Sequence, residues 1–318
     1  MDCPSSVRFA NALSFLTSIS QQHAIRYLTA LEARNYANST LSSIVSALKS
    51  LTSLVSESRR ATLVDDLSQT TSQDITDFIS AAQKAGLAPT TINLKLSYLG
   101  EFFEFLRQDE LMTQQPIFRR RHRLLTPTTL PKPMAENDLT AFFKVVDSVR
   151  DRLIFLLMLR CGLRVSEVCA LTWEAIDFND GTARINNGKG QVDRIVYFSP
   201  DVARALKTWQ AHKETGKYLF PSRIRKGTPL ERSRINVLMN EYLKTANIAK
   251  HYSPHCLRHT FATELLNAGV PLEVLKELMG HRSIHVTLRY TQLYETTKRR
   301  QYDQAMTKVE QRQAISRS

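Results

Sequence analysis

Apolar residues recur every three or four positions from residue 24 to about residue 118, with almost none of the alternation typical of strands. One such stripe consists of Leu41, Ile44, Val45, Leu48 and Leu51. Two further helices open on residues that favour helix N-termini, one at Pro89 and one near Ser72 with an aspartate in its first turn. We therefore predict a small all-α bundle for the first third of the chain.

Three prolines between residues 126 and 133 exclude a continuous helix and predict an extended linker. Helices dominate again beyond it, interrupted by a β-hairpin at 182–185 and 192–198 whose turn reads N-G-K-G. The fold class is therefore mainly α with a small β region (α+β). We divide the chain into a lead segment (1–20), a helical domain (21–125), the linker (126–133) and a second domain (134–318).

The net charge of the chain indicates the kind of partner that it binds. Lys and Arg number 43 against 30 Asp and Glu, a net charge of +13, which favours a polyanionic partner over the alternative of a basic surface kept for solubility. The four cysteines form no C-x-x-C pair, so we expect buried thiols and a cytoplasmic protein. No apolar run approaches the ~20 residues of a membrane span, and we expect no membrane contact.

Three short motifs carry chemistry. In C-G-L-R-V-S-E, Arg164 lies in the turn before a helix, where a guanidinium can face a phosphate; the alternative is a surface pair with Glu167. In L-M-G-H, His281 precedes Tyr290 by nine positions. A tyrosine can act as a nucleophile, although most of the ten tyrosines here are expected to be packing residues.

The remaining motif, S-P-H-C-L-R-H, places His255 and Arg258 three residues apart on one helix face. It also raises a zinc site as an alternative, built from His251, His255, Cys256 and His259. Pro254 interrupts the helix before His251, and no H-E-x-x-H pattern is present. We therefore expect neither metal nor cofactor.

In this order, G-L-R-x-S-E, a hairpin lysine, H-x-L-R-H and L-M-G-H followed by a tyrosine resemble the tyrosine recombinases, the phage integrase family. The resemblance covers Met134 to about Thr297, and the N-terminal helices are similar to the family's core-binding (SAM-like) domain. It implies a two-domain, C-shaped clamp on double-stranded DNA. The implied activity is site-specific recombination through a 3′-phosphotyrosyl intermediate, for integration, excision or resolution of a mobile element or replicon.

The resemblance also assigns roles. Tyr290 would be the nucleophile, Arg164 and Arg258 would hold the non-bridging phosphate oxygens, and Lys189 would protonate the leaving 5′-oxygen. Three further residues complete the set: His255 as the base, His281 as a hydrogen-bonding partner of the phosphate or nucleophile, and Glu167 as a residue that orients this region. Hairpin length varies in the family, and Lys189 is the lysine that fits the family's hairpin position. Tyr294 is a second candidate nucleophile.

The resemblance implies a homotetramer on two duplexes, joined by exchange of a C-terminal helix, with a directionality factor or a paired recombinase as candidate further partners. Residues 301–309 could form that helix, and packing within its own chain is equally compatible with the pattern. Rival functions are a type IB topoisomerase and a catalytically idle DNA-binding regulator on the same fold. Candidate DNA contacts are Asn93, Lys95, Tyr98, Arg223, Arg225, Lys226, Arg232 and Arg234.

Overall fold

A computed structural model describes residues 5–126, 132–186, 193–212, 216–281 and 283–288, with short stretches at 302–303, 305–307 and 309–311. The chain divides into two compact units, Met1–Thr128 and Thr129–Ser318. This division falls within the segment predicted as a linker. None of the helices in the described ranges is long and apolar enough to cross a membrane.

The described part of the first unit is helical, as the three- and four-residue spacing predicts. A short 3₁₀ turn at Leu67–Gln69 interrupts the sequence of α-helices. The helices are α1 (Ser5–Ala12), α2 (Ser18–Ala33), α3 (Asn38–Leu54), α4 (Glu57–Asp65), α5 (Ser72–Lys84), α6 (Pro89–Gln108) and α7 (Arg119–His122).

One apolar core holds this unit together. It includes the fully buried rings of Phe78 and Phe102 and the stripe on α3. The first 20 residues, predicted as a separate lead segment, contribute Phe9, Leu13 and Leu16 to this same core. The boundary predicted at residue 20 therefore lies inside a packed unit, because α1 needs the other helices to cover its apolar face.

Helix α5 begins with a capping box between Thr71 and Asp74. The Thr71 backbone N–H donates to Asp74 Oδ2 at 2.8 Å, and the Asp74 N–H donates back to Thr71 Oγ1 at 3.2 Å. Arg59 reaches the same carboxylate from α4 with Nε at 2.9 Å and Nη2 at 3.0 Å. Its Nη2 also donates to the carbonyl of Gln69. The helix start is thus closed by local contacts and one distant arginine.

The second unit combines helices with a small sheet. A 3₁₀ turn at Trp173–Ala175 precedes the first strand. The elements in chain order are α8 (Glu136–Val145), α9 (Val149–Arg160), α10 (Val165–Ala170), β1 (Ile176–Asp177), β2 (Thr182–Ile185), β3 (Arg194–Tyr197), α11 (Pro200–Gln210), α12 (Arg232–Thr245), α13 (Pro254–Asn267), α14 (Leu272–Met279) and α15 (Ile284–Leu288).

The three strands form an antiparallel sheet in the order β1-β2-β3. The hairpin predicted from the sequence is β2 and β3, with Ala183 opposite Val196 and Ile185 opposite Arg194. The strand β1 is an addition that the pattern did not predict, because two residues are too few to show alternation. Arg194 lies on the buried side of β3 together with Val196, where a charged side chain needs a partner.

Helix α9 forms the centre of the second core, with every residue from Leu153 to Leu159 buried. The turn that follows α9 contains Gly162, whose φ of +63° is the left-handed conformation that favours glycine. A Cβ at this position would come within 2.5 Å of the Phe261 ring on α13. Glycine thus lets the turn after α9 approach α13 closely, with Arg164 as the next charged residue.

Candidate active site

Four segments of the second unit converge on one cluster of charged side chains. Arg164 and Glu167 come from the start of α10, Arg194 from the start of β3, and Arg258 from α13. The fourth segment is the end of α14 with the following His281. Residues from all three predicted motifs therefore meet in one cluster, although more than 110 residues of sequence separate Arg164 from His281.

The Glu167 carboxylate lies at the centre of the cluster. Arg164 donates to it twice, from its backbone N–H at 2.8 Å and from Nη1 at 2.7 Å. Arg194 donates with both terminal nitrogens, Nη1 to Oε1 at 3.0 Å and Nη2 to Oε2 at 2.7 Å. Burial alone would raise the pKa of Glu167, but the hydrogen bonds and positive charge of Arg194 and Arg164 outweigh it and lower the pKa to about 2. The carboxylate is therefore ionised at neutral pH.

The C-terminus of α14 is held by three arginines. A helix leaves its last carbonyls without partners and carries partial negative charge at that end, so it attracts cationic donors. Three successive carbonyls each accept from a different guanidinium here. The pairs are Leu278 O with Arg194 Nε at 2.9 Å, Met279 O with Arg258 Nη2 at 2.6 Å, and Gly280 O with Arg164 Nη2 at 3.2 Å.

Gly280 is the residue that allows this close approach. Its φ of +60° is left-handed, and a Cβ would lie 2.8 Å from Arg194 Nη1. Arg258 is further fixed by a hydrogen bond from Nη1 to the carbonyl of Gly162 at the end of α9. The two helix ends that finish in left-handed glycines thus both accept from Arg258.

His281 is buried beside Arg258 and carries no charge at neutral pH. Burial, followed by the charges of Arg258 and Arg164, lowers the pKa of His281 to about 3. Its Nε2 lies 3.1 Å from Arg258 Nη2, and its Nδ1 lies 2.9 Å from Thr287 Oγ1. A guanidinium has only donors, so Nε2 accepts from Arg258 and Nδ1–H donates to Thr287. The ring is thereby fixed in one tautomer.

His255 lies on α13, three residues before Arg258, and its side chain remains exposed. Partial desolvation, followed by the charges of Arg258 and Arg164, lowers the pKa of His255, while Glu167 opposes that shift. The imidazole is therefore neutral at pH 7 and can accept a proton.

A groove opens beside the cluster between β3 and α14. Its lining includes Arg184, Arg194, Lys276, Gly280 and His281. The side of the cluster formed by His281 and the end of α14 is therefore reached from a groove whose lining carries both cations and the carboxylates of Asp193 and Glu277.

Two predicted catalytic residues, Lys189 and Tyr290, lie outside the described residues, as does Tyr294. Lys189 falls in the segment between β2 and β3, and Tyr290 follows α15 by two residues. Their predicted roles remain predictions. The zinc alternative has no assembled site, since no three His, Cys, Asp or Glu side chains within the described ranges are grouped closely enough to hold a metal ion.

The predicted DNA contacts on α6 have intramolecular partners. Asn93 exchanges two hydrogen bonds with the backbone of Leu124, at 2.8 and 2.9 Å. The Lys95 ammonium bonds Ser46 and Ser50 on α3, and burial lowers its pKa. Tyr98 packs against the helical core. The polar groups of Asn93 and Lys95 thus join parts of the first unit to one another.

The other predicted contacts are exposed. Ser222 Oγ accepts from the backbone N–H of Ile224 at 3.3 Å and of Arg225 at 3.2 Å, which fixes a turn in the loop between Pro221 and Pro229. Weak exposed ion pairs join Arg225 to Glu231 and Arg234 to Glu241. The exposed cations of this region are Arg223, Arg225, Lys226, Arg232 and Arg234.

The sequence analysis does not predict three residues of the cluster: Arg194, Gly280 as a contact residue, and Thr287. A signal did exist for Arg194. The alternation of β3 places it on the same face as Val196, so an inward-facing arginine already implied a buried carboxylate partner. The identity of that partner, 27 residues away in sequence, required the structure.

Comparisons with known proteins agree with this geometry. The model of the phage integrase family matches residues 132–297. The tyrosine recombinase XerA of Pyrococcus horikoshii is 32% identical over 233 residues, which are 72% of this chain and 77% of that protein. The tyrosine recombinase XerC of Bacillus subtilis is 29% identical over 283 residues, covering 85% and 90% of the two chains.

The fold is shared with a solved integrase. The structure of the transposon Tn1549 integrase in complex with a circular intermediate DNA has a TM-score of 0.67 at 22% identity, covering 86% of this chain and 95% of that one. The chain belongs to the phage integrase family. It is a DNA-binding, tyrosine-type site-specific recombinase.

Proposed function

We propose that this chain cuts and rejoins duplex DNA at the arginine cluster, through a covalent bond between Tyr290 and the 3′-phosphate of the cut strand. The observation that carries the proposal is the convergence of Arg164, Arg258 and His281 from three separate elements. Phosphoryl transfer needs donors fixed in place before charge develops, and guanidinium groups supply them.

Arg164 and Arg258 would stabilise the charge on the two non-bridging oxygens of the scissile phosphate. Arg164 has a side chain that is 26% exposed, so its guanidinium is accessible to a ligand while Glu167 holds one of its terminal nitrogens, Nη1. Arg258 is held at both terminal nitrogens by carbonyls of Gly162 and Met279. A guanidinium that is already oriented loses little freedom when the phosphate arrives.

The covalent step is balanced by two proton transfers. The Tyr290 oxygen attacks phosphorus and its proton passes to His255, while the bond from phosphorus to the 5′-oxygen breaks and Lys189 supplies a proton to that oxygen. The neutral state of His255 supports its role as the base. Attack of a 5′-hydroxyl from a partner strand on the phosphotyrosine reverses the step and joins the new strands.

Recombination of two duplexes requires more than one copy of the chain, and we place four copies in the active assembly. The described residues from 302 to 311 are helical, and Tyr302 and Val309 are exposed at 61% and 42%. Such apolar side chains suit a helix that docks on a neighbouring copy. Particle mass measured by light scattering should rise in steps to a tetramer when DNA carrying the site is added, and a constant monomer mass would contradict this arrangement.

Covalent trapping tests the function. Overlapping nicked duplexes from the DNA that flanks the gene are incubated with the protein without divalent metal, and SDS-resistant adducts are measured. The nick lets the short 5′-hydroxyl fragment diffuse away, so the covalent intermediate accumulates. We expect an adduct with the wild type and with Tyr294→Phe, and none with Tyr290→Phe.

The rival outcomes are distinct. An adduct that persists in Tyr290→Phe and disappears in Tyr294→Phe would move the nucleophile to Tyr294. Specific binding without an adduct would favour a catalytically idle regulator. Cleavage and relaxation of supercoiled DNA without any joined recombinant would favour the topoisomerase alternative.

A further inference from the structure

We propose that Arg194 is a positioning residue for DNA cleavage, one that sets the guanidinium of Arg164 and the end of α14 in place without touching the DNA. The inference rests on the proposed function and concerns how that site is held ready. It begins with the placement of Arg194 on the buried side of β3, at the end of the hairpin that carries Lys189.

The first step concerns Glu167. Arg194 binds both oxygens of this carboxylate, and Arg164 binds the same two oxygens. The ionised carboxylate therefore lies between two guanidiniums and links them. Without Arg194, burial would disfavour the charged form of Glu167, and the anchor of Arg164 would weaken.

The second step concerns the end of α14. Arg194 Nε donates to the carbonyl of Leu278, the residue just before the two carbonyls that hold Arg258 and Arg164. Gly280 lies so close to this arginine that a Cβ would meet its guanidinium. Arg194 thus holds the acceptors of both terminal nitrogens of Arg164, the Glu167 carboxylate for Nη1 and the end of α14 for Nη2.

Hydrogen-bond partners, rather than burial, separate Arg194 from the residues that meet a substrate, because Arg258 is buried as deeply. Both terminal nitrogens of Arg194 are bound to a carboxylate, whereas those of Arg258 are bound to carbonyl oxygens. The third nitrogen of Arg194, Nε, is bound to the carbonyl of Leu278. A lysine could neutralise Glu167, but its single nitrogen cannot bind both carboxylate oxygens and the Leu278 carbonyl in the same geometry.

The helical unit offers a matched control. Arg59 also binds a buried carboxylate, that of Asp74, with two nitrogens and donates to one backbone carbonyl. The substitution Arg59→Lys removes the same kinds of contact in the first unit, whereas the four segments described for the arginine cluster belong to the second unit. Both variants retain the positive charge.

The test is a double-variant cycle on the covalent adduct. Rates of adduct formation are measured under saturating protein for the wild type, Arg194→Lys, Arg164→Lys and the double variant, together with Arg59→Lys. We expect Arg194→Lys to slow the wild type by about ten-fold or more, with unchanged DNA affinity. In the Arg164→Lys background the same substitution should have little further effect, since the group that it positions is already altered.

The outcomes separate the two claims. Equal slowing by Arg194→Lys in both backgrounds would indicate a purely structural role and overturn the inference, as would a wild-type rate in Arg194→Lys. Thermal unfolding monitors folding, and Arg59→Lys should cleave at the wild-type rate. If the wild type forms no adduct, the proposed function fails; an adduct in the wild type without the coupling overturns only the role of Arg194.

Discussion

The two units of the chain each contain a helix with an acidic residue at its third position, and the residue just before each helix differs in chemical type. Asp74 on α5 and Glu167 on α10 both occupy the third helical position, and each accepts from the backbone N–H of the residue just before its helix at 2.8 Å. Each carboxylate also accepts from two nitrogens of an arginine on another element, Arg59 for Asp74 and Arg194 for Glu167.

The difference is the residue that precedes the helix. In α5 it is Thr71, whose hydroxyl caps the helix and closes the contact locally. In α10 it is Arg164, a cation at the positive end of a helix, where it can accept no hydrogen bond. Arg164 therefore goes against the usual preference for a capping side chain at the start of a helix. Such exceptions are expected where a side chain binds a ligand rather than stabilising the fold.

Replacing Arg164 by threonine, the residue that precedes α5, should produce the largest effect on cleavage. Arg164→Thr supplies a good cap and leaves Glu167 paired with Arg194, so we expect unchanged or slightly higher stability, by about 1 kcal/mol at most. Cleavage should fall by about 10³-fold or more because a phosphate-binding guanidinium is lost. Adduct formation and urea unfolding measure the two quantities.

The reverse exchange is the control. Thr71→Arg should lower the free energy of unfolding by about 1 kcal/mol and leave the cleavage rate unchanged. Strong destabilisation by Arg164→Thr, or retained cleavage, would remove the contrast between the two helix starts.

The two carboxylates provide the next comparison. Glu167→Gln and Asp74→Asn each leave a buried or half-buried arginine without its counter-charge, and we expect each to cost about 3 kcal/mol of stability. Only Glu167→Gln should slow cleavage. Chemical denaturation and adduct rates distinguish them, and equal effects of both variants on cleavage would contradict the assignment of Glu167 to the site.

Acid sensitivity follows from the pKa of Glu167, which the fold lowers from 4.5 to about 2. The contribution of this group to stability is present above about pH 4.5 and is lost as the pH falls toward 2. Glu167→Gln should therefore be less stable than the wild type at neutral pH. It should also lose less stability than the wild type between pH 4.5 and pH 2. A parallel pH dependence in both proteins would contradict the ionised, buried carboxylate.

Two glycines with positive φ allow a smaller and matched test. A Cβ on Gly280 would meet Arg194, whereas a Cβ on Gly227, in the exposed basic loop, would have open space within 4 Å among the residues that the structure describes. Gly227→Ala should cost only about 1 kcal/mol of backbone strain. Gly280→Ala should cost more and slow cleavage, since Arg194 has to move; equal costs measured by urea unfolding would argue against the close contact.

The smallest effects are expected from the exposed cations. Arg225→Ala should weaken DNA binding a few-fold and reduce the slope of log K against log salt by about 1. Lys95→Ala should leave that slope unchanged, because its ammonium bonds Ser46 and Ser50. Binding titrations at several salt concentrations measure both slopes, and a lower slope in Lys95→Ala would support the predicted contact of Lys95 with DNA.

The sequence predicts the residues of the cluster that lie in short motifs. Arg164, His255, Arg258 and His281 each stand near a helix end or a glycine, where pattern and residue type carry information together. The helical bundle and the β2–β3 hairpin are also evident from periodicity. Contacts between distant segments are not, so the pairing of Arg194 with Glu167 required the structure.

The partners of the polar residues on α6 are not evident from the sequence. A polar residue on a helix looks the same in sequence whether it faces DNA or a neighbouring segment. In the structure, Asn93 bonds the backbone of Leu124, and its predicted contact with DNA stays a prediction. No local signal distinguishes the two uses, because the partner backbone lies 31 residues further along the chain.

The central claim is that Arg164 occupies its helix start to neutralise charge on the scissile phosphate. Once the cleavage site is mapped, a duplex with a neutral methylphosphonate at that position tests the claim directly. We predict that Arg164→Thr cleaves this duplex far faster than the ordinary phosphodiester, because the missing cation is no longer needed. Equal failure of Arg164→Thr on both substrates, with wild-type cleavage of the phosphodiester intact, would contradict it.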